Sequence, residues 1–220
     1  MCIRDRLTDI SGEGLSKRLG SLSLKDLRQE GFQPMAISSL LSKVGTSDAI
    51  DIFKNINQII DDFDINKFGK SKPKFDKMEL LNLNSKFFQL IDFDDISGQL
   101  NTLDFEITTE FWNLIRGNIN TFNDIKFWWD IVYGKIKTIN DDHEFTHLAL
   151  KTLPNDSFDK NTWSTWTSLL MKESGRKGKD LFKPLRLCLT GQNNGPEMAN
   201  LVLTMGRQKI VERLKTTIEE

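Results

Sequence analysis

Three stretches of this 220-residue chain carry side chains whose types and spacing could do chemistry. His143-Glu144-Phe145-Thr146-His147 sets two imidazoles at i and i+4. A helix would turn both to one side, where they could share a zinc ion with Glu144 as general base. A catalytic zinc needs a third protein ligand as well. No third histidine exists, the next carboxylates (Asp156 and Asp159) follow Pro154, and Glu173 belongs to another predicted helix. The pair therefore reads as two surface histidines in an acidic segment with Asp141 and Asp142. No bound zinc is expected, and a zinc hydrolase stands only as an alternative.

The second stretch, Gly14-Leu15-Ser16-Lys17-Arg18, joins a small hydroxyl and two cations in a Gly-rich turn. Such a loop can embrace a polyphosphate through charge-assisted hydrogen bonds. The third lies within 172–186, where Lys172, Arg176, Lys177, Lys179, Lys183 and Arg186 stand against Glu173 and Asp180. A basic segment of this kind points to a polyanion, or else to a solvated helix face.

These residues need elements to hold them. Leu7 to Gly14 reads as a short strand entering a turn, and nearly everything after it reads helical. Ser23 with Asp26 forms a capping-box pattern ahead of Leu24 and Leu27, and Gly31 stops that helix. Pro34 opens a second helix that Gly45 closes. Thr46 or Ser47 caps a third, with Ile52, Ile56, Ile59, Ile60 and Phe63 at helical spacing. Gly69-Lys70-Ser71-Lys72-Pro73-Lys74 reads as a linker. Asp76 and Glu79 start a helix carrying Leu80, Leu83, Phe87 and Leu90. Further helices are predicted at 109–118, 122–133 and 143–153. Another carries Trp163, Trp166, Leu169 and Leu170 up to Gly175. The remaining helices run from Lys179 to Thr190, from Pro196 and from about Gly206. The five Trp and 15 Phe fall at helical spacing, which assigns them to a core rather than to base stacking.

The composition is ordinary and globular: 38% hydrophobic, 28% charged, with a net charge of -1. It excludes a disordered or collagen-like chain. The charge is divided, however. Residues 73–160 carry 15 acidic side chains against 9 basic, and residues 161–220 carry 10 basic against 6 acidic. With no run of 18 apolar residues, no spanning helix and no membrane partner are expected. Cys2 and Cys188 offer neither a disulfide framework nor metal spacing, so the cytoplasm is the expected location.

Several segments in fixed order resemble glutamyl-tRNA synthetases. Leu15 to Leu24, then Leu27-Arg28-Gln29-Glu30-Gly31 and Pro34-Met35-Ala36-Ile37, are similar to the signature-loop region of that family. Leu41-Ser42-Lys43-Val44-Gly45-Thr46-Ser47-Asp48 is similar to its next helix and turn, and Phe75-Asp76 with Leu80, Leu83 and Asn84 to the opening of its anticodon-binding part. The most specific match is Gly175-Arg176-Lys177-Gly178-Lys179-Asp180-Leu181-Phe182-Lys183-Pro184-Leu185-Arg186, running into Leu189-Thr190-Gly191 and Gly195-Pro196-Glu197.

The resemblance implies an all-α fold after a short strand-and-loop remnant of a class I catalytic domain. Residues 7–72 would be the signature loop and a helical stem-contact region. Residues 73–220 would be the anticodon-binding cage, in subdomains of about 73–155 and 156–220. It also implies ATP with Mg2+, L-glutamate and tRNA-Glu as partners, with tRNA-Gln left open, and a monomer. Glutamyl-adenylate would form first, and the acyl group would then pass to the tRNA 3′ end. Lys17 would contact ATP, with Ser16 and Arg18 shaping the loop, while Gly14 stands where many members have Lys. Lys177, Lys179, Lys183 and Arg186 would meet tRNA. Met1 to Arg6 read as a scar on a fragment whose nucleotide-binding half lies elsewhere, so the fragment alone is expected to be inactive. A stand-alone, non-catalytic tRNA-binding module is the other reading.

Overall fold

In a computed structural model, the structure describes residues 7–15, 23–69, 71–137 and 142–219. Among these the regular elements are α-helices and a short 3-10 helix at Ile65–Lys67, with isolated bridges at Thr8 as the only β pairing. The helices are α1 (Leu24–Gln29), α2 (Pro34–Lys43), α3 (Ile56–Asp62), α4 (Lys77–Leu90), α5 (Phe93–Leu100), α6 (Thr109–Ile115), α7 (Asp124–Val132), α8 (His143–Thr152), α9 (Thr162–Ser174), α10 (Lys179–Thr190) and α11 (Met198–Glu219). The all-α expectation holds. The chain forms two compact units. One takes the described residues up to Glu106 together with Arg116–Ile125, and the other takes Ile107–Ile115 and the residues from Lys126 onward.

In the first unit, Thr8 bridges to Gly14 on one side and to Lys74 on the other. Its amide donates to the Pro73 carbonyl at 3.0 Å and its carbonyl accepts from the Phe75 amide at 2.8 Å. Asp9 closes the intervening turn, its carboxylate accepting from Ser11 Oγ at 2.6 Å and from the Glu13 amide at 2.9 Å. The 69–74 segment is thus no free linker, because the Thr8 strand edge needs partners and Pro73 and Phe75 supply them. The two compact units divide after Glu106, with Arg116–Ile125 returning to the first.

The capping box at Ser23 and Asp26 forms as its spacing predicts, and Pro34 begins α2. Two details differ from the pattern. Leu24 is 70% exposed, so Leu27 alone anchors α1 to the core. The third helix starts later than expected, at Asn55, whose side chain accepts from the Gln58 amide at 3.1 Å. Thr46 instead donates back to the Lys43 carbonyl at 2.8 Å. Ile50 and Ile52, two apart, pack on the core from a non-helical segment, which is a strand-like period that helical spacing had masked. The core joins Leu27, Phe32, Ala36, Leu40, Phe75, Leu80 and Leu83. Buried Asn84 on α4 cross-links it, accepting from the Gln33 amide at 2.7 Å and donating to the Asn120 carbonyl at 2.5 Å. Helix α5 was not predicted. Its acidic first turn and Gly98 hide an Ile96–Leu100 buried pair.

The second unit packs α11 against α8, α9 and α10. Trp112, Phe145, Trp166, Leu170, Leu181, Leu185, Leu201 and Leu214 fill its interior. Gly206 (φ 70, ψ 165) kinks α11 where the sequence placed a helix start, and the preceding helical turn begins at Met198 rather than Pro196. Arg213 is 3% exposed and donates to the carbonyls of Ile131 and Gly134 at 2.8 and 2.9 Å, closing the end of α7. A Cβ at Gly195 would collide with the Trp128 ring, so only glycine fits that turn. Trp112, Trp128 and Trp166 are core, as expected, whereas Phe127, Tyr133 and Phe182 reach the surface.

Candidate nucleic-acid interface

Two left-handed glycines build the basic turn between α9 and α10. Gly175 (φ 69) ends α9 and Gly178 (φ 55) precedes α10, a conformation that side-chain-bearing residues avoid. Between them stand Arg176 and Lys177. Arg176 is committed to the fold: its guanidinium pairs with the Asp142 carboxylate at 2.5 Å and lies over the Phe145 ring at 4.7 Å. Asp142 also caps α8 by accepting from the Phe145 amide at 3.0 Å. That amide, and next the Arg176 charge, hold the Asp142 carboxyl below the usual carboxylate range against the opposing effect of burial.

Lys177, Lys179 and Lys183 are exposed and form no ion pair among the described residues. Arg176, Lys179, Asp180, Lys183 and Pro184 line an open depression of 570 Å³. One carboxylate among cations leaves it electropositive, as an RNA phosphate requires. Arg186 sits differently. It is half-buried, donates to the Pro196 carbonyl at 2.9 Å and keeps its Nη1 buried with no hydrogen-bond partner among the described residues. Burial lowers its pKa from the ordinary value. Among the sequence-predicted RNA contacts, Lys177, Lys179 and Lys183 therefore lie open, and Arg186 props the 195–196 turn.

In the other candidate stretches, Gly14 and Leu15 belong to the Thr8 turn, and Ser16, Lys17 and Arg18 lie outside the described residues. His143, Glu144 and His147 are exposed on the first turns of α8. No cluster of three His, Cys, Asp or Glu that could hold a metal occurs among the described residues. No described helix is long and apolar enough to cross a membrane.

Sequence reasoning missed one feature of this face. Phe182 is exposed on α10, and its ring lies 6.0 Å from that of half-buried Trp163. The signal was available: Leu181, Leu185 and Leu189 make the buried stripe, and Phe182 falls beside it, three residues after Lys179.

Residues 79–218 match the family described as the anticodon binding domain. Glutamate–tRNA ligase 1 of Roseobacter denitrificans is 41% identical over 200 residues, covering 89% of this chain and 45% of that protein. The glutamate–tRNA ligase of Azospirillum brasilense is 40% identical over 210 residues, covering 94% and 47%. The chain thus spans less than half the length of these relatives. The crystal structure of glutamate-tRNA synthetase from Elizabethkingia anophelis shares the fold, with a TM-score of 0.77 at 20% identity over 98% of this chain and 50% of that one. With more than half its residues inside the family match and glutamate–tRNA ligases as its relatives, the chain belongs to the anticodon binding domain family in the form that glutamyl-tRNA synthetases carry.

Proposed function

We propose that this chain is the RNA-reading part of a glutamate–tRNA ligase, and that it holds tRNA-Glu through the α9–α10 face. The observation that carries the reading is the electropositive depression with Lys179 and Lys183 unpaired among the described residues, in a member of an anticodon-binding family. Phosphate contacts of this kind supply affinity and register, while base edges supply specificity. Lys177, Lys179 and Lys183 fit the first task. Arg186 fits the second through the turn it fixes, since a planar guanidinium held by Pro196 keeps the 195–196 backbone in one place.

The ligase reaction belongs, in this reading, to the longer protein. Its substrates are ATP with Mg2+, L-glutamate and tRNA-Glu, and tRNA-Gln is accepted only if one anticodon base is read loosely. Ser16, Lys17 and Arg18 form the signature loop, and Lys17 neutralises phosphate charge as the adenylate forms. Residues 7–72 bear on the tRNA stem. The protein works as a cytoplasmic monomer. By itself the 220-residue chain binds RNA without forming glutamyl-adenylate, so pyrophosphate exchange with tRNA present stays at background.

Binding of tRNA-Glu transcript at fixed near-physiological salt tests the central claim. The comparison transcripts are a copy with an altered anticodon and a tRNA of unrelated specificity. An anticodon change that weakens binding tenfold or more, ~1.4 kcal/mol, is the expected outcome. Equal, weak binding of all three RNAs overturns it.

A further inference from the structure

Among the described residues the exposed large aromatic side chains fall in three places, which differ in the charges around them. On α3 and the turn after it, Ile56, Ile60, Phe63 and Ile65 are exposed among Asp61, Asp62 and Asp64, a setting that repels a polyanion. On α7 Phe127 is exposed, as is Tyr133 just past its end, but the neighbouring Lys126 is already paired with Asp130 at 2.5 Å and lies over the Trp129 ring at 5.4 Å. On α10, Phe182 is 39% exposed beside Lys179 and Lys183, neither of which has an ion pair among the described residues. Only there do an open aromatic face and uncommitted cations coincide among the described residues.

The aromatic pair is also rigidly founded. The Phe182 and Trp163 rings are 6.0 Å apart and inclined by 32°, closer to stacked than to edge-on. Trp163 meets Trp166 edge-on at 6.1 Å. Trp166 is fully buried and its indole N–H donates to the Ala149 carbonyl at 3.0 Å. A flat surface anchored through three rings into the core loses little conformational freedom when a second flat group lies on it.

We infer that the Trp163–Phe182 pair is a stacking site for one unpaired RNA base, whose flanking phosphates lie over Lys179 and Lys183. The inference rests on the RNA-binding reading above and adds a residue-level contact that charge alone does not supply. Every base has a π-face, and it becomes available only when the base leaves a helical stack. Duplex RNA therefore satisfies the lysines but not the rings. An apolar peptide would satisfy the rings but strip water from Lys179 and Lys183 without an anion in return. Asp180 lines the same depression and subtracts from its positive charge.

The test uses the full chain and an anticodon stem–loop transcript of tRNA-Glu, with single abasic substitutions at each loop position. Phe182→Leu keeps apolar bulk but removes the ring, and Phe182→Tyr keeps the ring. The expected result is a loss of about tenfold for Phe182→Leu with recovery in Phe182→Tyr, at an unchanged salt slope. One abasic position should lose nothing further in the Phe182→Leu background, which identifies the stacked base. Circular dichroism and the urea midpoint establish that each variant folds, and Trp163→Leu repeats the test from the other ring. If the wild-type chain binds the stem–loop with a steep salt dependence but Phe182→Leu and Trp163→Leu bind equally well, the stacking site is overturned and the RNA-binding reading stands. If the wild-type chain does not prefer the stem–loop over a duplex of equal length, both fall.

Discussion

Lys43 in the first unit and Lys179 in the second are the same residue type put to opposite uses. Lys43 ends α2, is 7% exposed, and reaches both Asp62 and, at 3.1 Å, Asp48. Asp48 accepts from Lys67 at 2.9 Å as well. Asp62 first and Asp48 second raise the Lys43 pKa, and Lys67 with Lys43 holds the Asp48 carboxyl below its ordinary value. This cluster ties α2, the 45–48 turn and the end of α3 together. Lys179 opens α10 in solvent, in a depression with one carboxylate. The contrast separates two uses of charge in a chain of net charge -1: the Lys43 cluster neutralises its charges internally, while Lys179 and Lys183 have no ion pair among the described residues.

The strongest way to break the inward-turned half is Asn84→Ala. The buried Asn84 amide satisfies the Gln33 amide and the Asn120 carbonyl, so its removal orphans a donor and an acceptor at about 1–3 kcal/mol each. The urea midpoint should fall accordingly, and the salt dependence of RNA binding should not change. A midpoint within experimental scatter of the wild type would mean that the cross-link is dispensable.

Next comes the direct exchange between the two lysine settings. Lys179→Ala with Lys183→Ala should weaken tRNA-Glu binding uniformly across anticodon variants. The slope of log K against log salt should drop by about 0.7–0.9 for each phosphate that no longer meets a cation. Stability should stay within about 0.5 kcal/mol, since both side chains are solvent-exposed. Lys43→Ala should do the reverse, lowering the unfolding midpoint while preserving the RNA salt slope, because Asp48 and Asp62 lose the cation they enclose. Crossed readouts would erase the distinction between structural and binding charge.

Local signals made much of this architecture legible. Ser23 with Asp26, Pro34, Gly175 and Gly191 each solve a helix-end problem within a few residues, and each helix end fell where that chemistry put it. What escaped was long-range or disguised. The Asn84 cross-link joins residues 51 and 36 positions away, which no window reveals. The α3 start was misplaced because Ile52 and Ile56 are four apart, as in a helix, although Ile50 and Ile52 pack from a non-helical segment. At the candidate interface, residue type identified the basic segment, but only the fold separates Arg176 and Arg186, spent on Asp142 and Pro196, from the lysines left open. The surface position of Phe182 was readable from the leucine stripe beside it. Its partner Trp163 was not, because the two belong to different helices.

The finest probe of the contrast is the single carboxylate in the depression. Asp180 lines the same surface as Arg176, Lys179 and Lys183, yet it forms no ion pair among the described residues, so its charge subtracts from theirs. Asp180→Asn removes that charge at nearly constant shape. Exposed pairwise terms of this kind amount to about 0.2–1 kcal/mol, so RNA affinity at low salt should rise by a few-fold at most. Salt shortens the reach of the Asp180 charge to the strand, so the gain should shrink as ionic strength increases. Asp180 also stands in the first turn of α10, where an acidic side chain favours the helix dipole. The same substitution should therefore cost a little stability, about 0.3–1 kcal/mol, while improving binding. A gain in affinity that persists undiminished at high salt would show that Asp180 acts through shape or a specific contact, and the depression would then not be a simple electrostatic site.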